Sequence, residues 1–241
     1  MKSCKEAGYW KKIDPLPMPG LHGVRGEGSQ YMCGIAGIFH IGTAKPVDPA
    51  RVRTMTDAIA HRGPDGSGVW TAPGVGLGHR RLSIIDLEGS PQPMGYADGR
   101  FQIVFNGEIY NFQALRSELE AKGHVFATEG DTEVILAAWQ RWGVDCLARL
   151  NGMFAIALHD SGKRKFVLAR DHLGIKPLFY ALGKDHLIFG SEPKVVLASG
   201  LVPRSLDLDA LVQFLSWEYV PGQATLFGSI RKLKPAHWME I

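Results

Sequence analysis

From residue 33 onward, short apolar runs alternate with segments whose apolar residues recur every three or four positions. "GIAGIFHI" is continuous, β-rich and bounded by polar residues, which predicts a buried strand. "DPARVRTMTDAIAHRG" predicts a helix with Asp48 as N-cap, Pro49 just inside and Gly63 past its end. "GVGLGHRRLSIID" reads as a strand followed by a polar turn, and "RFQIVFNGEIYN" as a strand running into a loop. "FQALRSELEAKGH" is amphipathic, with Phe112, Leu115 and Leu119 on one face and Gly123 closing it. "DTEVILAAWQRWG" predicts a further helix with Asp131 at its N-cap. "MFAIALHD", "KFVLARD", "PLFYAL" and "HLIFGS" then follow in quick succession, joined in part by the turns "SGK" and "LGKD". They predict an antiparallel meander. "PKVVLAS" and "LDALVQFLSW" read as helices. Strands and helices come in clusters rather than in strict alternation. The fold class is therefore α+β with packed antiparallel sheets, not a doubly wound sheet.

Composition narrows the function classes. The chain has 241 residues, 45% apolar and 21% charged, enough for one large core. A net charge of +3 is too small to argue for nucleic acid, and no apolar run is long enough to predict a membrane span. Cys4, Cys33 and Cys146 show neither CxxC nor metal-ligand spacing, so no metal site is expected and a reducing cytoplasm fits. Met1 to Gln30 differ from the rest, with "DPLPMPG" and "GVRGEGSQ" and no secretory apolar core. Residues 1–31 are expected to be a disordered leader or a mis-assigned start.

Several polar residues stand at the predicted ends of elements, where scaffolds place functional groups. An arbitrary cysteine is a small buried hydrophobe, and Cys146 is expected to be one. Cys33 differs because Met32 precedes it. With that methionine removed, Cys33 carries a free α-amine beside its thiol, and such an amine activates a neighbouring nucleophile. Its reference pKa of about 7.7–8.0 suits it to accept a proton near neutrality. Asn106 and Gly107 offer a side-chain amide and an open backbone N–H, the two donors of an oxyanion hole. Arg81 suits a carboxylate, while Glu108 and Asp131 suit an ammonium. Singly, each has a plainer reading: Asn-Gly as a turn, Arg81 as a surface charge, Asp131 as a helix cap. Jointly they describe amide hydrolysis on the side chain of a free amino acid. A thiol–imidazole pair with His61 or His79 ranks below the α-amine, because "HRGPDG" reads as a turn that shapes the pocket. His172, in "ARDHLGIKPLFY", reads as structural.

Taken together, "MCGIAGIF", "HRGPDG", "GHRRLSIIDL", "QPM", "VFNGEIYNF", "DTEVIL", "GMFAIALHD", "ARDHLGIKPLFY" and "FGSEPKVVL" resemble the class II glutamine amidotransferase domain. The resemblance is greatest to the glutamine-hydrolysing asparagine synthetase family and spans residues 32–241. It implies an N-terminal nucleophile hydrolase fold, a four-layer α-β-β-α sandwich of two antiparallel sheets. By position it implies Cys33 as nucleophile, Asn106 and Gly107 as oxyanion donors, and Arg81 as ligand of the glutamine carboxylate. Glu108 and Asp131 become the ammonium ligands, and the backbone at Ile84 and Ile85 a wall of the pocket. The implied reaction passes through a γ-glutamyl thioester, needs no metal or other cofactor, and delivers ammonia to a synthetase domain or subunit that uses ATP and Mg. A homodimer is among the assemblies it allows; nucleic acid and membrane are not among its partners. Two features depart from the family. Residues ahead of Cys33 turn its α-amine into an amide. At "KPAHWMEI" the family continues into a synthetase domain, and no SGGxDS-like loop is present. Two other readings stay open: ammonia delivered to a sugar or cell-surface acceptor, and a catalytically silent interaction or regulatory domain.

Overall fold

The computed structural model describes residues 10–13, 33–82 and 91–241, and their strands form two sheets. One sheet runs, in spatial order, β1 (Trp10–Lys12), β12 (His237–Glu240), β8 (Lys165–Arg170), β7 (Gly152–Asp160), β6 (Phe101–Ile109) and β5 (Met94–Tyr96). The other runs β11 (Arg231–Lys232), β9 (Phe179–Leu182), β10 (His186–Gly190), β2 (Gly34–His40), β4 (Val75–Arg81) and β3 (Gly66–Ala72). Neighbouring strands in both sheets pair antiparallel throughout the described residues.

The two-residue period of a strand sends successive side chains into different layers. On β6, Ile103 and Phe105 share a core with Leu115, Leu119 and Val134 from α2 (Phe112–Glu120) and α3 (Asp131–Trp142), and with Cys146 and Leu147 from α4 (Cys146–Arg149). Val104, between them, packs against the second sheet beside Ile35, Leu77 and Phe189. On β2, Ile35 enters that same central layer, whereas Ala36 and Ile38 face α1 (Pro49–Asp57) and α5 (Pro193–Ala198). Three apolar cores thus separate helix, sheet, sheet and helix layers, the expected four-layer sandwich.

Local signals explain most boundaries. Asp48 caps α1, its Oδ1 accepting from the Ala50 N–H at 2.9 Å, with Pro49 in the first turn. That helix ends at Asp57, earlier than expected, and the chain tightens into a 3-10 turn over Ala60–Arg62. Asp131 is the first residue of α3 rather than its cap, a place taken by Gly130. Its carboxylate reaches across to another strand instead. Asn106 and Gly107 are not a turn either: β6 continues through them to Ile109. In the segment expected to be disordered, Trp10–Lys12 pair with β12 and Ile13 is buried in the core against α3. The other residues of that segment lie outside the described part.

The expected meander is instead two hairpins in different sheets. β7 and β8 belong to one sheet, β9 and β10 to the other. Buried Asp171 organises the crossing: its carboxylate accepts from the N–H groups of Phe154, Leu173, Ile175 and Lys176 at 2.9–3.2 Å. Arg170 donates to the carbonyls of Gly174, Lys176 and Leu233, each at 2.7 Å. This short polar core replaces the ladder that a continuous meander would have made.

The helix α6 (Leu208–Trp217) buries only Ala210, and its Leu208, Val212, Leu215 and Trp217 are each more than 60% exposed. Among the described residues, no helix is long and apolar enough to cross a membrane.

Asp171→Ala should leave several buried N–H donors unsatisfied, each worth about 1–3 kcal/mol. Urea unfolding should show a loss of at least about 3 kcal/mol, or no cooperative transition. A change below about 0.5 kcal/mol would mean the crossing is held by something else.

Candidate active site

One cleft lies at the end of the central layer and takes residues from both sheets. Cys33, Arg81, Asn106, Gly107, Glu108 and Asp131 all line it, joined by His79, Gln92 and Lys176 among others. The other five lie 48 or more positions from Cys33, in three separate segments, so the topology alone brings them together. Ile84 and Ile85 lie outside the described residues.

Cys33 immediately precedes β2 and has the strand parity of Ile35, which aims it into the central layer. The main chain at and after it is held from two directions. Arg62 Nε donates to the Cys33 carbonyl at 3.1 Å, and the Ile35 N–H donates to Ser191 Oγ at 2.9 Å. Cys33 Sγ sits 3.3 Å from the Leu82 N–H and 3.4 Å from the Leu82 carbonyl. Burial pushes its thiol up; the Leu82 N–H and the charges of Lys176 and Arg81 pull it back towards the thiolate. Cys146, by contrast, lies wholly inside the core, where burial pushes its thiol up strongly, as expected of a structural cysteine.

Opposite the thiol, Asn106 and Glu108 leave β6 with the parity of Val104, towards the same layer. Asn106 Nδ2 is buried and, among the described residues, has no hydrogen-bond partner. Gly107 has the opposite parity. Its partner on β7, Phe154, gives its N–H and carbonyl to Asp171 on the far side. Gly107 therefore directs its own N–H away from β7, to the open edge of β6. A Cβ at Gly107 would lie 2.1 Å from the Met153 carbonyl oxygen, so no other residue fits there.

Asp131 closes the cleft from the helix layer. Its Oδ2 accepts from the Ile109 N–H at 3.0 Å. Burial, and then the charge of Glu108, raise its carboxyl to about 6. Two cationic residues, Arg81 and Lys176, and two carboxyl residues, Glu108 and Asp131, thus face a cleft that also holds a thiol and an unsatisfied amide donor. The set complements a zwitterion with an amide at its far end.

Neither histidine suits the role of base. His61 is half exposed, 2.8 Å from Glu192 Oε1, and does not line the cleft. His79 does line it, but its Nε2–H donates to the Phe105 carbonyl at 3.2 Å, and burial lowers its pKa to about 4. His172 stacks edge-on against Phe154, in keeping with a structural reading. Two lining residues were missed in the sequence. Lys176 and Gln92 stand inside the quoted motifs "ARDHLGIKPLFY" and "QPM", and that was the available signal. Lys176 is almost fully buried; desolvation lowers its ammonium while the nearby thiol opposes that shift.

This fold is that of the N-terminal nucleophile hydrolases. A glutamine phosphoribosylpyrophosphate amidotransferase from Bacillus subtilis matches with a TM-score of 0.59 at 21% identity, over 70% of this chain and 44% of that one. A family model described as "Glutamine amidotransferase domain" matches residues 32–241, and the chain belongs to that family. Asparagine synthetase [glutamine-hydrolyzing] 1 of Bacillus subtilis is 41% identical over 213 residues, covering 87% of this chain and 33% of the relative. A putative asparagine synthetase [glutamine-hydrolyzing] of Mycobacterium tuberculosis is 42% identical over 228 residues, covering 87% and 35%. The chain thus spans about a third of the length of these curated relatives.

The raised carboxyl of Asp131 gives a signed test. Unfolded aspartate titrates near 3.9, so the folded protein keeps this proton to higher pH. Asp131 therefore adds stability below about pH 4 and loses it as pH rises to about 6. Asp131→Asn, which keeps an acceptor for the Ile109 N–H, should gain on the parent chain by on the order of 2–3 kcal/mol between pH 4 and pH 7. Urea unfolding across that range measures it; a gap that is flat or shrinks with pH contradicts the burial of a raised carboxyl.

Proposed function

We propose that this chain is the glutaminase part of an asparagine-synthetase-like amidotransferase, hydrolysing L-glutamine to glutamate and ammonia. The buried Nδ2 of Asn106, without a partner among the described residues and lining the same cleft as the Cys33 thiol, carries this reading: it is a donor awaiting an acceptor. Arg81 takes the substrate carboxylate, and Glu108 with Asp131 takes its ammonium. The γ-carboxamide then lies between the thiol and the Asn106–Gly107 donors.

The active form begins at Cys33. Its α-amine accepts the thiol proton while Sγ bonds to the carbonyl carbon of the γ-carboxamide, and the oxyanion accepts from Asn106 Nδ2 and the Gly107 N–H. Collapse breaks the C–N bond, and the α-ammonium returns its proton to the leaving nitrogen, giving ammonia. Water, deprotonated by the same amine, cleaves the γ-glutamyl thioester to glutamate and restores the thiol. All of these roles fall to groups of this chain, without a cofactor. Release at Cys33 removes only β1 from the described sheets, and β1 is an edge strand.

Ammonia passes to a synthetase domain or subunit of the kind that the relatives' names denote, which the family resemblance expects to use ATP and Mg. The exposed apolar side of α6 offers such a partner a surface to cover. Cys33 and Cys146 are both free thiols, which supports a cytoplasmic setting.

Ammonia release by variants beginning at Cys33 tests the assignments. Cys33→Ala should abolish turnover with an unchanged far-UV spectrum. Asn106→Ala should lower kcat by about 10²–10³. Arg81→Ala should act mainly on KM, because it removes a partner of a substrate charge whose loss costs about 3–5 kcal/mol. Turnover surviving in Cys33→Ala, or an unchanged KM in Arg81→Ala, would refute the corresponding role.

A further inference from the structure

Among the described residues, the sheet that carries Asn106 and Gly107 is cut short beside them. β5 pairs with β6 only through Met94↔Ile103, Gly95↔Gln102 and Tyr96↔Phe101. Residues of odd number on β6 turn their backbone groups to this edge, so Phe105, Gly107 and Ile109 emerge where β5 has ended. Continued in register, the residue opposite Phe105 is Gln92. It bonds through its side chain instead: Gln92 Oε1 accepts from the Phe105 N–H at 2.6 Å. From the other sheet, His79 Nε2–H donates to the Phe105 carbonyl at 3.2 Å. Two residues on, Asp131 Oδ2 takes the Ile109 N–H at 3.0 Å. The Gly107 N–H hangs between these two fixed points.

We propose that Gln92 and His79 are positioning residues: together they stand in for the missing strand at Phe105 and set the geometry of the Asn106–Gly107 donor pair. The Phe105 carbonyl belongs to the peptide that carries Asn106, so His79 fixes the plane from which that side chain and the next N–H are projected. Gln92 has a second tie. Its Nε2 lies 3.4 Å from Thr132 Oγ1, beside Asp131, and so links the donor strand to the start of α3. Neutral His79 serves this role throughout the physiological range, since its pKa is near 4 and its Nδ1 is buried without a partner among the described residues. Gln92 and His79 thus touch the donors' backbone rather than the reacting atoms.

The kinetic side of this inference rests on the glutaminase reading; the structural side does not. Gln92→Met keeps the length of the side chain and removes its amide. It should lower kcat about 10- to 100-fold, below the full loss of a donor, and move KM less than about threefold. His79→Leu should act likewise, while His79→Gln, which retains an N–H donor, should recover kcat to within about threefold and keep the parent pH profile. NMR-detected amide exchange should show the Phe105 N–H losing protection in Gln92→Met without loss at Ile103. Unchanged kcat in Gln92→Met, or a change in KM alone, would overturn the positioning role. Loss of the basic pH limb in His79→Gln would make His79 a titrating group instead. If the form beginning at Cys33 releases no ammonia, the glutaminase reading fails, and amide exchange alone decides: equal protection of Phe105 in that form and in its Gln92→Met variant overturns the clamp.

Discussion

A backbone N–H inside a protein must find an acceptor, and the edge of β6 beyond Ile103 is where, among the described residues, that demand is met without a neighbouring strand. Three alternate residues present their N–H groups there. Phe105 is satisfied by Gln92 and Ile109 by Asp131, each through a side chain. Gly107 lies between them, directed into the cleft. A sheet edge thus becomes a donor site because its flanks are satisfied while its centre meets no acceptor among the described residues. The glycine is required by the Met153 carbonyl packed against it rather than by an unusual backbone angle.

The second sheet supplies what faces that edge. β2 and β4 run antiparallel beside each other, which sets Cys33 against Leu82 and places Arg81 at the same end. Burial favours a neutral thiol, and Arg81 and Lys176 oppose it only in part. A separate base is therefore needed, and geometry removes both histidines from that role: one is turned out to Glu192 and the other committed to Phe105. An amine with a suitable pKa appears beside the thiol when Cys33 becomes the first residue. In the present sequence Met32 holds that nitrogen in an amide.

Much of this was legible in the residues, for physical reasons. Period-two runs such as "RFQIVFN" feed both an inner and an outer core and so betray a sandwich. Asp48 and Pro49 mark the start of α1 because a cap and a fixed φ act locally. Where local signals misled, a tertiary contact had taken over. Asn-Gly reads as a turn, yet pairing with Phe154 and Ala155 keeps it in a strand. Asp131 reads as a cap, yet its carboxylate goes to Ile109, 22 positions back in sequence. The four late strands read as one meander because nothing local reveals that Asp171 and Arg170 turn the chain from one sheet to the other. Gln92 and Lys176 escaped notice because their roles depend on what lies opposite them. In "QPM" and "GIKPL" neither has a neighbour that hints at a cleft.

The central claim is that a thiol from one sheet and a donor pair from the other act on glutamine only when Cys33 bears a free amine. Ammonia release from a polypeptide beginning at Cys33, compared with the 241-residue chain after both N-termini are confirmed by intact mass, tests it most directly. The form beginning at Cys33 should turn over glutamine, and the uncleaved chain should be nearly inactive. Equal turnover with residues 1–32 still attached would contradict the account and require a different base for the thiol.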